Sequence, residues 1–435
     1  MKKENFSETN ISYTTKEAID EAKRCLNCKN PLCVQGCPIE HNIPGFINQL
    51  SMGNIGAAMQ IINEKSNLPA ICGRVCPHEK QCEGNCILNK KNNPIKVGKL
   101  ERFIADFDSD MLLIKERLKP KTRGKVAIVG SGPAGLTVAG DLAREGFNVV
   151  VFEGQKEPGG VLMYGIPEYR LPKDIVRREI KKIEALGVTF MNEFIVGEKM
   201  TVDEMLSHEF DAVFIGSGTS VPKTLDLPGI NLYKVLQSSY FLRMVNLYNS
   251  GDISRAAVPL VDGEEIAVIG AGNVAMDAAR TALRMGASSV KVIYRGTEDT
   301  LPALKTEYHE AVEEGVEFLW KSRTVECIGE NNTLKAIRVE TPEGEKIMPI
   351  NRVLIAIGSK PANRIVSTSL GIDVDDNGYV ITKDYPYGMT TRKGVFAGGD
   401  VVHTPQTVVL AMREAKQVAI GIAQYVDAVK LLGGN

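Results

Sequence analysis

Eight of the nine cysteines lie between Cys25 and Cys86, and Cys327 stands alone far downstream. They run Cys25-x2-Cys28-x4-Cys33-x3-Cys37-Pro38, then Cys72-x3-Cys76-Pro77, then Cys82-x3-Cys86. Thiols at this density in a reducing compartment ligate metal; they do not form a disulfide scaffold. Two [4Fe–4S] clusters suit the density and the prolines after Cys37 and Cys76. Two Zn(Cys)4 sites satisfy the same count and stay open as the alternative.

A second chemistry is written in glycines. Gly130-Ser131-Gly132-Pro133-Ala134-Gly135 follows an apolar strand and opens a helix, and Glu153 ends the next strand. Gly130 permits the tight turn, Gly132 lets the backbone approach a pyrophosphate, and Gly135 lets helix and strand pack. The phosphates then face the free N–H groups and positive end of the helix that Pro133 and Ala134 open. Glu153 is expected to accept hydrogen bonds from an adenosine ribose. The pattern recurs as Gly270-Ala-Gly272-Asn273-Val274-Ala275, but the strand after it ends in Tyr294-Arg295-Gly296, with no carboxylate. An arginine there can hold a 2′-phosphate that a carboxylate would repel. NADP(H) is therefore expected over NAD(H) at this turn, with an exposed strand-end charge as the plainer reading of Arg295.

The elements that must position these groups follow from periodicity. Thr14-x-x-Glu17 predicts a capping box that opens a helix running into Cys25. The apolar residues Phe46, Ile47, Leu50, Ile55, Ala58, Met59 and Ile62 have helical spacing and predict core. A basic stretch, Lys115 to Lys125, reads as a solvated linker. Strand–helix–strand units then start at Lys125 and Glu265, which predicts two parallel-sheet domains. The tail, Gly394–Gln424, reads as a strand, a Gly-Gly-Asp turn and a final helix that completes one of those sheets.

Composition bounds the function. The 435 residues suggest about three domains. Lys plus Arg is 52 against 53 Asp plus Glu, so no strong field invites nucleic acid or an anionic membrane. No stretch has the roughly 18 consecutive apolar residues of a membrane span. Met1 to Thr15 lacks an apolar leader core, and a cytoplasmic location is expected. The five histidines show no ligand spacing, and Trp320 and Cys327 read as core. A disulfide reductase needs a cysteine pair beside its flavin, yet residues 87–435 hold only Cys327.

Two dinucleotide turns followed by Gly394-Val-Phe-Ala-Gly-Gly399-Asp400 resemble the flavoprotein reductases with two dinucleotide-binding domains. The resemblance implies FAD at the first turn and NADP(H) at the second. It implies crossover signatures at Phe214-Ile-Gly-Ser-Gly218 and Leu354-Ile-Ala-Ile-Gly358. Asp400 would meet the flavin's ribityl-phosphate region, and a helix from near Thr407 and Val408 would aim its positive end at the flavin ring. With the cysteines in front, nearly the whole chain resembles the family of the NADPH-dependent glutamate synthase small subunit. That family also holds the N-terminal half of dihydropyrimidine dehydrogenase and the large subunit of the ferredoxin-linked bifurcating transhydrogenase. Gly159-Gly160-Val-Leu-Met-Tyr-Gly-Ile-Pro-Glu-Tyr-Arg170-Leu-Pro-Lys173 carries its flavin-side segment, and Ile71-Cys-Gly-Arg-Val-Cys-Pro77 and Leu100-Glu101-Arg102 also match.

By that resemblance Cys25, Cys28, Cys33 and Cys86 take one cluster, and Cys37, Cys76, Cys82 and Glu101 the other. Cys72 is left as a buried thiol. Gly296 departs from the family, many of whose members carry a second basic residue there.

The expected architecture is α/β: a helical two-cluster domain (1–120), an FAD domain (121–258 and 388–435) and an NADP(H) domain (259–387). The expected function is passage of electrons from NADPH through FAD and two clusters to a larger partner. That partner would be a glutamate synthase large subunit, a dihydropyrimidine dehydrogenase catalytic subunit, or a ferredoxin or flavin subunit. The segment Pro31–Pro44 is the expected docking region. A zinc-stapled interaction protein is the non-enzymatic alternative.

Overall fold

The computed structural model describes residues 5–111, 113–114, 116 and 118–433. Lys115, in the expected linker, lies outside them. The described chain forms two compact units, one of 10–163, 173–221 and 360–433, the other of 5–9, 164–172 and 222–359.

The first unit begins with short helices. Thr15–Lys23 starts at the predicted capping box, with Glu17 N–H donating to Thr14 Oγ1 (3.3 Å) and Thr14 N–H to the Glu17 carboxylate (2.7 Å). The apolar stripe is core, as its spacing predicts, but two helices carry it, Ile43–Ser51 and Ile55–Asn63. Between them Gly53 sits at φ +82°, a conformation that ends the first helix cheaply only for glycine. Pro69–Val75 and Val97–Met111 complete the helical layer.

A sheet of seven strands among the described residues follows. Its order is Thr382–Asp384, Tyr387–Thr390, Val395–Ala397, Ala212–Ile215, Gly124–Val129, Phe147–Phe152, Thr189–Met191. The last five run parallel. The side chains of the inner four are mostly buried, as expected for strands covered on both faces, whereas those of the edge strand Thr189–Met191 are largely exposed. The tail strand joins this sheet beside Ala212–Ile215, and the helix Val408–Leu431 covers it.

The helical layer belongs to the same unit as this sheet; it does not stand apart. Polar groups bind the two together. Asp106 on Val97–Met111 receives Arg74 (2.8 Å), Arg102 (3.5 Å) and Arg178, the last from the helix Lys173–Ala185. Glu179, fully buried on that helix, accepts the Ala70 N–H at 3.2 Å. Asn67 donates to Thr137 O (3.1 Å) and Asp141 (2.8 Å) on Pro133–Arg144.

The second unit is a parallel sheet of five strands among the described residues, ordered Val235–Gln237, Arg352–Ile355, Glu265–Ile269, Ser289–Ile293, Glu317–Leu319. An antiparallel sheet of Arg323–Glu330, Thr333–Thr341 and Gly344–Pro349 accompanies it. The compact units change over at 221/222 and 359/360; the sequence reading placed its domain boundaries at 258/259 and 387/388. Val235–Gln237 pairs inside the second unit, and Thr382–Thr390 pairs back into the first. No helix among the described residues is long and apolar enough to cross a membrane.

Burial alone would raise the Asp106 carboxyl, but Arg74, then Arg178 and Arg102, outweigh it and hold it below the usual carboxylate range. A carboxyl whose folded pKa is depressed stabilises fully above its unfolded value, near 3.9, and loses that contribution as pH falls through the folded value. Urea unfolding of Asp106→Asn should show a loss of roughly 1–3 kcal/mol at pH 7. The difference from the wild type should shrink below about pH 4. A difference that stays constant with pH would show that the charge of Asp106 is not what matters.

Candidate functional site

The helical layer encloses two cavities. Cys25, Cys28, Cys33 and Cys86 line the first, together with Leu26, Leu32, Ile87 and other apolar side chains. Cys25 follows the first helix, Cys33 lies in the short helix Leu32–Gln35, and Cys86 precedes the turn Ile87–Lys91. Cys37, Cys72, Cys76, Cys82 and Glu101 line the second, with His41, His78 and Val409. Ile43 and Val97 line both cavities, so the two share a wall. Neither lining contains a lysine or arginine.

That lack of cations sets the electrostatics. Burial, then the neighbouring Cys25 and Cys86, push the Cys33 thiol up to about 11. Burial does the same to Cys37, to about 11, and lifts Cys82 well above the ordinary thiol value. A hydrogen bond from the Cys76 thiol to Cys72, then burial, raises Cys76. Glu101 is buried, its Oε1 has no hydrogen-bond partner, and burial followed by Glu179 pushes its carboxyl up to about 8. Cys33, Cys37, Cys76, Cys82 and the Glu101 carboxyl thus stand where burial favours their neutral forms, and a bound cationic centre would reverse that preference. Among the described residues no three His, Cys, Asp or Glu are grouped so as to hold a single metal ion. The donors stand instead around cavities, an arrangement that fits a cluster better than one ion.

Sequence reasoning missed His41 and His78. His41 is buried and His78 half-buried, and desolvation of the rings holds each at about 4, so both are neutral. His41 Nε2 lies 3.1 Å from Ile62 O, and its Nδ1 is 3.8 Å from Glu101 Oε1. Their spacing in sequence carries no ligand signal, because helices distant along the chain bring them to the cavity. Cys72 is buried, as expected, and its Sγ lies 3.5 Å from Met412 Sδ on the tail helix.

The first glycine turn lies in the same unit. Gly130 N–H donates to Phe152 O (2.9 Å), tying the turn to the strand end before Glu153. A Cβ on Gly135 would lie 2.0 Å from Gly130 O, whereas one on Gly132 would meet nothing within 4 Å. Gly135 therefore serves packing, and Gly132 borders open space at the start of Pro133–Arg144. Glu153 is buried and accepts from Ser131 N (3.1 Å), Ser131 Oγ and Gln155 N (2.8 Å). The loops at Gly160 and Gly399 close on this turn, their Cβ positions 2.9 Å from Gly132 Cα and Ala134 Cβ. Asp400 accepts the Gln406 N–H at 3.2 Å. Thr407 caps Val408–Leu431, its Oγ1 buried without a partner. Gly218 follows the strand Ala212–Ile215.

The second unit repeats the turn. Gly270 N–H donates to Ile293 O (3.2 Å), and the added Cβ of Gly272 again meets nothing within 4 Å. Ala275 is fully buried, Val274 is exposed, and Asn273 Oδ1 accepts the Leu304 N–H at 2.9 Å. Gly358 follows the strand Arg352–Ile355. Arg295 is exposed just past the end of Ser289–Ile293. Arg170, expected to face a cofactor, is instead committed to a buried ion pair: both Asp277 oxygens at 2.8 Å and Glu307 at 2.7 Å. Cys327 is buried in the strand Arg323–Glu330, and Trp320 is half-buried.

Residues 2–112 match the family described as dihydropyrimidine dehydrogenase domain II, 4Fe-4S cluster, and residues 124–415 match pyridine nucleotide-disulphide oxidoreductase. The NADPH glutamate synthase small chain of Halomonas elongata is 36% identical, covering 97% of this chain and 93% of that one. The NAD-dependent dihydropyrimidine dehydrogenase subunit PreT of Escherichia coli is 33% identical, covering 98% and 99%. FprA of Mycobacterium tuberculosis, solved with NADPH, shares the fold at TM-score 0.61 and 17% identity, over 72% of this chain and 86% of that one. The chain therefore belongs to the pyridine nucleotide-disulphide oxidoreductase family, in the group preceded by a 4Fe-4S domain that glutamate synthase small chains share with the dihydropyrimidine dehydrogenase subunit.

Proposed function

We propose that the chain is the electron-input subunit of a larger cytoplasmic oxidoreductase of the NADPH glutamate synthase type. Bound FAD would supply acceptance of the electron pair of a hydride from NADPH, and two bound [4Fe–4S] clusters would supply one-electron carriage. The chain's residues frame this chemistry. Gly132, Pro133, Ala134 and Gly160 would border the FAD phosphates, with the Thr407 hydroxyl and the start of the tail helix offered to the flavin. Gly272, Asn273 and Val274 would border those of NADP(H), with Arg295 at its 2′-phosphate. Cys25, Cys28, Cys33 and Cys86 would hold one cluster, and Cys37, Cys76, Cys82 and Glu101 the other.

One observation carries the reading: the shared wall of Ile43 and Val97, with Val409 lining the Glu101 cavity and not the other. Val409 belongs to the first turn of the helix that starts at Thr407. The Glu101 cavity is therefore the inner one. The four-cysteine cavity is the outer one, and Leu26, Leu32 and Ile87 around it are 60%, 44% and 44% exposed. Electrons that must leave the chain would leave there, and this apolar rim beside Pro31–Pro44 is where the partner would dock. The 33% identity to PreT, across almost all of both chains, favours a pyrimidine-reducing complex as the second reading.

The anaerobically purified chain should contain about eight iron and eight sulfide, the sum for two [4Fe–4S] clusters. Stoichiometric zinc without iron would overturn the reading. Cys28→Ser should leave flavin reduction by NADPH intact and abolish delivery to the partner. The wild-type chain alone should reduce ferricyanide but not convert glutamine plus 2-oxoglutarate. Turnover of a natural organic substrate by the single chain at about 1–1,000 per second would refute the input role.

The two glycines of the first turn separate cradle from packing. Gly135→Ala should cost about 1–3 kcal/mol in thermal unfolding, because its Cβ meets backbone. Gly132→Ala should unfold within about 0.5 kcal/mol of the wild type. It should nevertheless retain less flavin, measured by absorbance after gel filtration. Full flavin retention in Gly132→Ala would place the phosphates elsewhere.

A further inference from the structure

The strand that ends at Arg295 has a neighbour whose end carries a second cation. Glu317–Leu319 pairs parallel with Ser289–Ile293, so both strands finish at the same sheet edge as the Gly270–Gly272 turn. Beyond the strands the two chain ends remain tied. Tyr294 N–H donates to Leu319 O (3.0 Å), Lys321 N–H to Gly296 O (2.8 Å) and Ser322 N–H to Tyr294 O (3.0 Å). Trp320 stacks on Phe318 at 5.1 Å and meets Tyr294 edge-on at 6.3 Å, which fixes the ledge between them.

Lys321 lies beside the peptide that follows Arg295, and both side chains are exposed. Lys321 also sits at φ +51°, a conformation that costs a non-glycine residue about 1–2 kcal/mol. Glycine or asparagine would fill that turn more cheaply. Glu298, the acidic residue nearest in sequence, is engaged by the Tyr308 hydroxyl. Two cations, backbone-tied across a strand pair, thus stand at the edge where the second glycine turn opens.

We infer that Lys321 is a specificity-determining residue, the second cation for the 2′-phosphate of NADP(H), replacing the basic residue that Gly296 lacks. This inference rests on the NADPH reading above. Arg295 can grip the phosphate with its planar fork and Lys321 adds a point charge, a division that suits a dianion.

Binding of 2′,5′-ADP and of 5′-ADP to the full, cofactor-loaded chain, measured by calorimetry, tests it without turnover. Lys321→Asn removes the charge and keeps a residue at home in the left-handed conformation. It should weaken 2′,5′-ADP binding roughly tenfold, the low end for a hydrogen bond to a charged group, and leave 5′-ADP unchanged. Lys321→Arg should retain the preference, and Lys321→Glu should abolish it. Equal weakening of both probes would make Lys321 structural and overturn the inference. So would unchanged 2′,5′-ADP binding in Lys321→Asn alongside a loss in Arg295→Ala, which leaves the NADPH reading standing. A wild-type chain that binds both probes equally would instead overturn the NADPH reading itself, and this inference with it.

Discussion

Burial of metal-seeking donors without any cation of their own is the constraint around which the first unit is built. Thiols lining two apolar cavities, and a carboxyl with an orphaned oxygen, are costly to ionise where they stand. A site that merely needed buried cysteines would gain nothing from Glu101 there. A bound cluster with exposed iron charge reverses the balance, because the same burial that disfavours the free anion strengthens its bond to a cation. With clusters bound as proposed above, stability of the helical layer and occupancy of its cavities would be coupled.

That coupling extends into the sheet. The helical layer reaches the helices Lys173–Ala185 and Pro133–Arg144 of the seven-stranded sheet through Asp106 with its three arginines, Glu179 with the Ala70 amide, and Asn67 with Asp141. These contacts are partly or fully buried, where charged hydrogen bonds are stiff and expensive to leave unmade. They hold the Glu101 cavity against the tail helix, so Val409 can wall it. In the electron-input reading proposed above, this rigidity would matter more than any reactive side chain.

The two glycine turns show how one local solution serves two ligands. Both leave open space beside the second glycine, and both tie the first to the end of the adjoining strand. They differ at what lies beyond that strand: a buried glutamate held by Ser131 in one, exposed cations in the other. In the function proposed above, the turn geometry would serve phosphate in both units and the strand ends would select the nucleotide.

The sequence by itself determined what is local. The capping box at Thr14, the two glycine turns, the strands that feed them and the tail turn at Asp400 each lie within a short run of backbone. Their φ angles and hydrogen bonds are set by neighbours in the chain. The cysteine run announced metal, but spacing alone does not sort eight thiols into two cavities; there only family resemblance assigned them. Folding decided the rest. It brought Cys86 to Cys25, Cys28 and Cys33, and seated His41 and His78 beside Glu101. It turned Arg170 onto Asp277 and Glu307, and set Lys321 beside Gly296. Each of these juxtapositions joins segments far apart in the chain, and packing and strand order place them, which no run of neighbouring residues encodes.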